Sequence, residues 1–368
     1  MKKNSFLSRL LFGVNLVVIV STIFGYISPS ASPNTIWPLA FFGLAMPYLI
    51  LLNFLFILYW LFRGKTWFLI SLIVLALGYQ TIPKYLQFHF GKEELSEKSF
   101  KVMSFNVRVF DLYMWTKEKS TRNQIFEFLK NEDPDVLCLQ EFYHKDEQLK
   151  HYEFKTLDTL ISLLSAKNYH VHYTTTLRKT DHWGLITFSK FPIENKGFVP
   201  FKNQGDNAAI FTDLKIDGKI LRVYNNHLAS IKLAKRDYKT MKTINEQDYS
   251  NLFNKSLSLL EKVKNGFLKR SLQADLIAKS ISKSPFPVIV CGDFNDSPTS
   301  YTYKTIKGEL NDTYINSGSG FGRTYIGEFP SFRIDYIFSD TTFRSSNYRT
   351  HPEKLSDHHP VSAELEWK

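Results

Sequence analysis

Polar side chains able to bind metal or carry protons recur in this sequence at the ends of apolar runs. Asn106 follows KVMSF, Glu141 follows DVLCLQ, His227 follows RVYNN, and Asp293 and Asn295 follow PVIVCG. Asp335 lies in RIDYIF, and Asp357 with His358 lies in LSDHHP. A packed strand holds such a residue rigidly while the loop beyond exposes it. Singly, each has an ordinary explanation: Asn and Asp form turns, a Glu can end a strand in solvent, and a histidine can be satisfied at a surface. Together they offer carboxylate, amide and imidazole groups without cysteine pairs or HExxH. That donor set points to an oxygen-rich site for a hard cation beside histidine acid/base groups.

The elements that must position these residues begin at Phe100. Runs rich in Val, Ile and Phe predict strands at KVMSFNV, DVLCLQE, GLITFSK, AIFTDLKI, ILRVYNNHL, PVIVCGDF, RIDYIFS and VSAELEW. Amphipathic spacing predicts helices over 122–130 and 252–269; in the latter Phe253, Leu257, Leu260, Val263 and Phe267 form a stripe expected to face the core. The class is mixed α/β, with no internal repeat. Cys138 and Cys291 both lie in buried-strand patterns, so inert thiols are expected, with a bridge in an oxidising compartment left open.

The first 90 residues read differently. Stretches 10–27, 36–62 and 66–83 carry no charged residue and predict three transmembrane helices, followed by a polar linker at 91–99 and a catalytic domain at 100–368. Lys2, Lys3 and Arg9 before the first stretch, and Arg63 and Lys65 between the second and third, place the N-terminus in the cytoplasm by the positive-inside rule. The rest of the chain is then expected on the outer side of a cell (inner) membrane, which is the periplasm in a cell with two membranes. The absence of ionisable residues within the stretches favours anchoring over transport. The formal charge of +11 suits an anionic partner such as nucleic acid, lipid headgroups or a phosphorylated metabolite, and equally a solvated lysine surface beside a membrane.

The ordered motifs SFNV (104–107), LQE (139–141), GLITFSKFPI (184–193), NNHL (225–228), GDFND (292–296), RIDYI (333–337) and SDHHP (356–360) resemble those of the endonuclease/exonuclease/phosphatase superfamily. The resemblance covers about Phe100 to Trp367. It implies the DNase I-like fold, a four-layer α/β sandwich with the active site at one end. It makes Glu141 the principal Mg²⁺ (or Mn²⁺) ligand, with Asp357 and Asn106 nearby. It gives Asp293 the attacking water and Asn295 a phosphate oxygen. His358, oriented by Asp335, would stabilise the transferring phosphoryl group or act in proton transfer, and His227 would contact phosphate or protonate the leaving oxygen. Phosphoester cleavage is intrinsically slow and needs neutralised phosphoryl oxygens, an aligned water and a protonated leaving group, which these residue types supply.

NNHL carries histidine where abasic-site endonucleases of the superfamily carry tyrosine, so the sequence departs from that branch. Segment 229–269 is longer than the usual connection; with Lys232, Lys235, Arg236, Lys239, Lys242, Tyr238 and Tyr249 it is either a substrate-contacting arm or a helical decoration. GSGFG (318–322) is read as a flexible loop beside the site. Asn225 and His182 are candidate substrate contacts, the latter beside Trp183. The expected partners are a phosphoester (nucleic acid, phospholipid headgroup or phosphorylated small molecule) and a lipid bilayer, with oligomeric state open. The competing reading is a non-catalytic, membrane-tethered binding module that keeps the fold.

Overall fold

A computed structural model describes residues 6–89, 91, 96, 98–118, 120–146, 154–201, 205, 207–231, 249–327 and 332–368. In the N-terminal part, helix α1 (Phe6–Ile27) continues into a 3-10 turn at Ser28–Ser30. Together they form the one described helix long and apolar enough to cross a membrane. The expectation of three such helices is therefore corrected. The second stretch begins at the last residue of a short α2 (Pro33–Ile36) and is broken into α3 (Pro38–Leu44) and α4 (Met46–Phe62), with a bend of 62° between these two. Pro38 and Pro47 explain the breaks, because proline lacks an N–H and clashes with the preceding turn. The third keeps only ten helical residues, α5 (Phe68–Leu77), before a 3-10 segment at Tyr79–Lys84. Gly78 ends α5 where the Tyr26 ring lies so close that a Cβ would fall 1.9 Å from it.

These helices nonetheless form a bundle whose interior holds bonded polar side chains beside Val18, Met46 and Leu49. Asn15 Nδ2 donates to Ser71 Oγ (2.8 Å), Trp60 Nε1 to Asn15 Oδ1 (2.9 Å), and Asn53 Nδ2 to Thr22 Oγ1 (2.8 Å), all buried. Val17, Ile23, Phe24, Leu51, Phe54, Leu58 and Ile73 are exposed on the outside. Ser8 meets Arg63 at one end of the bundle.

Among the described residues fourteen strands are numbered in chain order: β1 (Leu86–Phe88), β2 (Phe100–Asn106), β3 (Val136–Lys145), β4 (Asn168–Leu177), β5 (Asp181–Ser189), β6 (Ile193–Val199), β7 (Ala208–Ile216), β8 (Lys219–His227), β9 (Val288–Asp293), β10 (Asn311–Asp312), β11 (Ser319–Phe321), β12 (Asp335–Ser339), β13 (Phe343–Thr350) and β14 (Val361–Trp367). Two six-stranded sheets, ordered β10-β12-β9-β8-β7-β6 and β13-β14-β2-β3-β5-β4, pack face to face. Val102, Val136, Cys138, Leu221, Val223, Ile289, Cys291 and Ile337 fill the space between them. Cys138 and Cys291 are free thiols in that core, and burial pushes the Cys291 thiol well up.

Helices α6 (Thr121–Glu132) and α7 (Thr156–Leu163) cover the outer face of one sheet through Ile125, Leu129 and Leu160. The 33-residue α8 (Tyr249–Ile281) and α9 (Tyr301–Lys307) cover the other through Ala274, Ile277, Tyr303 and Ile306. The result is the mixed α/β sandwich expected.

Two local expectations fail. On α8, Phe267 is buried but Leu257 and Leu260 are exposed, so the stripe is not a core face along its length. GSGFG is not a free loop: Ser319–Phe321 is β11, paired antiparallel with β1. Residues 232–248, which carry the early lysines and Tyr238 of the long segment, lie outside the described residues. A short helix α10 (Thr313–Ser317) completes the set.

Candidate active site

Parallel pairing of β2 with β3 and of β8 with β9 brings the C-terminal ends of four strands to one end of the sandwich. His227 registers with Asp293, and Asp293 with Asp335 at the start of antiparallel β12. Topology alone thus gathers Asn106, Glu141, His227, Asp293 and Asp335.

The backbone around them departs from regular strand. β3 carries one extra residue between Leu139 and Phe142, and Glu141 in that bulge has φ 50°. A bulge re-aims one side chain, which here turns the carboxylate toward the mouth. At Gly292 (φ 136°) a Cβ would lie 2.0 Å from Asn226 O, so only glycine lets β9 approach β8 there. Asn295 has φ 51°, and Arg108, Val109, Phe110 and Asp111 follow one another at 44°, 46°, 53° and 56°. Left-handed conformations cost a non-glycine residue about 1 kcal/mol or more each, and they cluster where function holds them.

Asp293 Oδ2 is the hub. Asn106 Nδ2 donates to it at 3.0 Å and Asn295 Nδ2 at 3.1 Å; His358 Nε2 lies 3.7 Å away and His227 Nε2 3.9 Å. Asn295 N donates to its other oxygen at 2.8 Å. Burial, together with the charge of Asp335, raises the Asp293 carboxyl to about 6 despite the pull of both histidines. His358 Nδ1 meets Asp335 Oδ2 at 3.0 Å. Burial works against a charged His358, yet Asp335 and Asp293 together raise its pKa well above the ordinary imidazole value. The arrangement is an imidazolium held by one carboxylate and aimed at another.

On the other side of the hub, Glu141 Oε1 accepts from Asn106 Nδ2 at 3.2 Å and lies 3.6 Å from His227 Nε2. Burial raises the Glu141 carboxyl, and the nearby Asp357 carboxylate adds to the effect. A cation between the two would offset the charge of Asp357 that disfavours an ionised Glu141, so these two residues fit a hard divalent ion. Asp293, Asp335 and His358 also bring ligand atoms within 4.8 Å of one another. In that group His358 already spends Nδ1 on Asp335 at 3.0 Å, which leaves Nε2 as its nitrogen for a cation. Asn106 Oδ1 accepts from Arg108 N at 3.0 Å, so its amide nitrogen faces the carboxylates and orients them.

Supporting contacts lock the frame. Ser356 Oγ donates to Asn106 O at 2.8 Å, tying the SDHHP loop to β2. Arg270 of α8, 1% exposed, meets Asp296 at 3.0 Å and donates to Ala229 O, joining the loops after β9 and β8. Neither Ser356, Arg270 nor Arg108 stood out in the sequence. The last could have been noticed as the cation two residues beyond Asn106.

Two expected substrate contacts are placed elsewhere. Asn225 shares a face with His227 but lies two residues deeper, by the twofold alternation of a strand. It is fully buried, accepts from Gln140 Nε2 at 2.7 Å and donates to Ile186 O at 2.9 Å, so it braces the two sheets. His182 has both ring nitrogens engaged, by Asp146 at 2.9 Å and Thr176 at 3.0 Å, and its ring stacks on Tyr173. Any substrate contact by His182 must displace one of these partners.

The sequence profile of the Endonuclease/Exonuclease/phosphatase family matches residues 103–358, and one described only as a domain of unknown function matches residues 8–85. No curated protein matches the chain. Among solved structures, an endonuclease/exonuclease/phosphatase family protein from Bacteroides thetaiotaomicron is 19% identical, with TM-score 0.52 over 73% of this chain and 95% of that one. A second, from Bacteroides vulgatus, is 17% identical, with TM-score 0.52 over 73% and 99%. A humanized TDP2 from D. rerio is 14% identical, with TM-score 0.51 over 73% and 100%. At these identities the likeness to solved structures is one of fold.

Proposed function

Because this chain belongs to the Endonuclease/Exonuclease/phosphatase family, whose members are metal-dependent phosphoester hydrolases, we propose that it is a membrane-anchored phosphodiesterase or phosphatase. Residues 1–90 are the anchor and 100–368 the catalytic domain. The observation that carries the catalytic reading is the convergence of Asn106, Asn295, His227 and His358 on the Asp293 carboxylate.

Asp293, when ionised, accepts the proton of the attacking water, and Asn106 and Asn295 fix the direction of its carboxylate. Asn295 can also turn its amide from Leu228 O, 3.1 Å away, to a phosphate oxygen. His358, kept protonated by Asp335, stabilises the phosphoryl oxygens, and His227 protonates the leaving oxygen. Glu141 and Asp357 would hold Mg²⁺ or Mn²⁺, with Asn106 at the edge of that site. When bound, the cation neutralises charge on the phosphate oxygens and orients the ester.

The outward apolar faces of the bundle support attachment to a bilayer, with α1 crossing it. Ser30, Asn34, Gly43 and Tyr85 touch the catalytic domain at the end of the bundle away from Arg63. With the positive-inside rule, this supports a catalytic domain outside the cytoplasm.

The test is hydrolysis by the full chain against plasmid DNA, RNA, sphingomyelin, phospholipids, inositol phosphates and a soluble aryl phosphodiester, with Mg²⁺ and with EDTA. Cation-dependent turnover that disappears in Asp293→Ala is the expected result. Turnover that survives EDTA or the substitution would overturn the reading.

A further inference from the structure

Resting on that reading of the site, we propose that the turn from Arg108 to Trp115 is its substrate-recognition element. Arg108 grips the phosphate, and the Tyr113–Met114–Trp115 lip contacts the apolar part of a phosphoester lipid at the bilayer surface.

The turn is built to hold a cation at the edge of the catalytic end. Arg108 Nε lies 3.3 Å from Asp357 Oδ2, and the guanidinium sits 4.2 Å over the Trp115 ring, with about a third of the side chain (31%) still exposed. A planar guanidinium presents several donors in a fixed fork, so donors not used by Asp357 are free to meet phosphate oxygens beside Glu141. Four consecutive left-handed residues aim it there. Asn106 Oδ1 starts the turn by accepting from Arg108 N, and Phe110 anchors it against Phe126 and Phe142. Asp111 closes it: its carboxylate accepts from Trp115 N at 2.8 Å and from the Thr116 hydroxyl. A strained segment held by this many contacts is not a passive loop.

The lip those contacts fix is apolar and open. Tyr113, Met114 and Trp115 are 60%, 43% and 37% exposed, with the two rings 5.0 Å apart. Its occupant follows from where the bundle grips the domain. Thr299, six residues past Asp293, donates to Gly43 O at 2.8 Å and bonds to the Tyr85 hydroxyl. Phe332, three residues before Asp335, packs edge-on against Tyr48. Both lie on loops at the catalytic end, the end from which the lip also projects beyond β2. The apolar bundle and the aromatic lip therefore sit at the same end of the sandwich. Tyr and Trp are the side chains that settle at a bilayer interface.

The experiment uses the full chain reconstituted in phosphatidylcholine vesicles containing phosphatidic acid, phosphatidylinositol phosphate or sphingomyelin, with single-stranded DNA and a soluble aryl phosphodiester in parallel. The wild type is expected to hydrolyse at least one vesicle lipid. In the Tyr113→Ser, Trp115→Ser double variant the ratio of vesicle to soluble kcat/KM should fall about tenfold or more, the scale of losing two buried rings. Arg108→Ala should raise KM on both kinds of substrate, with Arg108→Lys recovering only part. A measurement independent of turnover is quenching of tryptophan fluorescence by brominated phosphatidylcholine; the Trp115→Phe variant should lose part of it. Equal loss on vesicle and soluble substrates, or quenching unchanged in Trp115→Phe, overturns the lipid lip. A loss confined to single-stranded DNA overturns it in favour of base stacking. A wild type that turns over DNA or the soluble ester but no vesicle lipid overturns the inference and leaves the hydrolase reading standing. A wild type that turns over nothing overturns both.

Discussion

The bundle and the sandwich are built with opposite polarity. In the bundle, Asn53 bonds to Thr22 and Asn15 to Ser71 and Trp60 inside, and leucine and phenylalanine face out. In the sandwich, Val, Ile and Leu fill the space between sheets, and Glu141, Asp293, Asp335, His227 and His358 meet at one end. The contrast teaches what each surface is made to meet. An apolar exterior suits hydrocarbon, where a buried amide pair is modest glue. A polar end backed by an apolar core suits a reaction in which charge must be placed and kept dry. Substitutions in the two regions should therefore fail in different ways.

The largest effect belongs to the polar end. Asp293→Asn should lower kcat by about a thousandfold, the scale of a lost general base, while circular dichroism and thermal midpoint stay near wild type. Asn53→Leu in the bundle should leave kcat alone. A drop in kcat in both would erase the distinction.

Next is the brace beneath that end. Arg270→Met leaves Asp296 buried without its guanidinium, and removing one partner of a buried pair costs about 3–5 kcal/mol. Chemical denaturation in detergent should reveal it as a shifted midpoint for the catalytic domain.

The pH dependence should also belong to the mouth alone. Asp293, raised to about 6, must be ionised to act as base, so kcat/KM should climb as pH rises through that region. A bound cation favours the carboxylate and moves this limb lower. His358 must stay protonated, and its raised pKa holds the alkaline limb above the ordinary imidazole range. Asp335→Asn should bring that limb down, and an unchanged profile would contradict the pairing.

The smallest effects compare two amides. Asn225→Leu takes from buried Gln140 its shortest-bonded acceptor, leaving Ser104 Oγ and Cys138 O, and removes the donor to Ile186 O; it should cost about 1–3 kcal/mol. Asn53→Leu should cost under about 1 kcal/mol in detergent, as interhelical hydrogen bonds in a membrane usually do. A reversed order would mean that the bundle is stabilised like a soluble core.

Much of this was legible in the sequence. All eight predicted strands are present, because central strands buried on both faces read as continuous apolar runs. β4, β6 and β13 were missed: NYHVHYTTTL, IENKGFV and FRSSNYRT mix polar residues freely, as strands at or near a sheet edge can. The stretch 36–62 passed as one span since uncharged length was counted and Pro38 and Pro47 were not. The site's residue types and strand ends were readable, but depth was not, which is why Asn225 and His227 looked alike. The left-handed turn at Arg108 left no trace either, since it uses four residues other than glycine.

The most direct test of the division of labour at the mouth is Mn²⁺ binding to the full chain, followed by electron paramagnetic resonance, in wild type, Glu141→Gln and Asp335→Asn. The account predicts one site whose affinity falls at least tenfold in Glu141→Gln and changes little in Asp335→Asn. Loss of binding in Asp335→Asn with Glu141→Gln unaffected would put the cation in the Asp293–Asp335–His358 group and contradict the assignment of His358 as the protonated group that stabilises the phosphoryl oxygens.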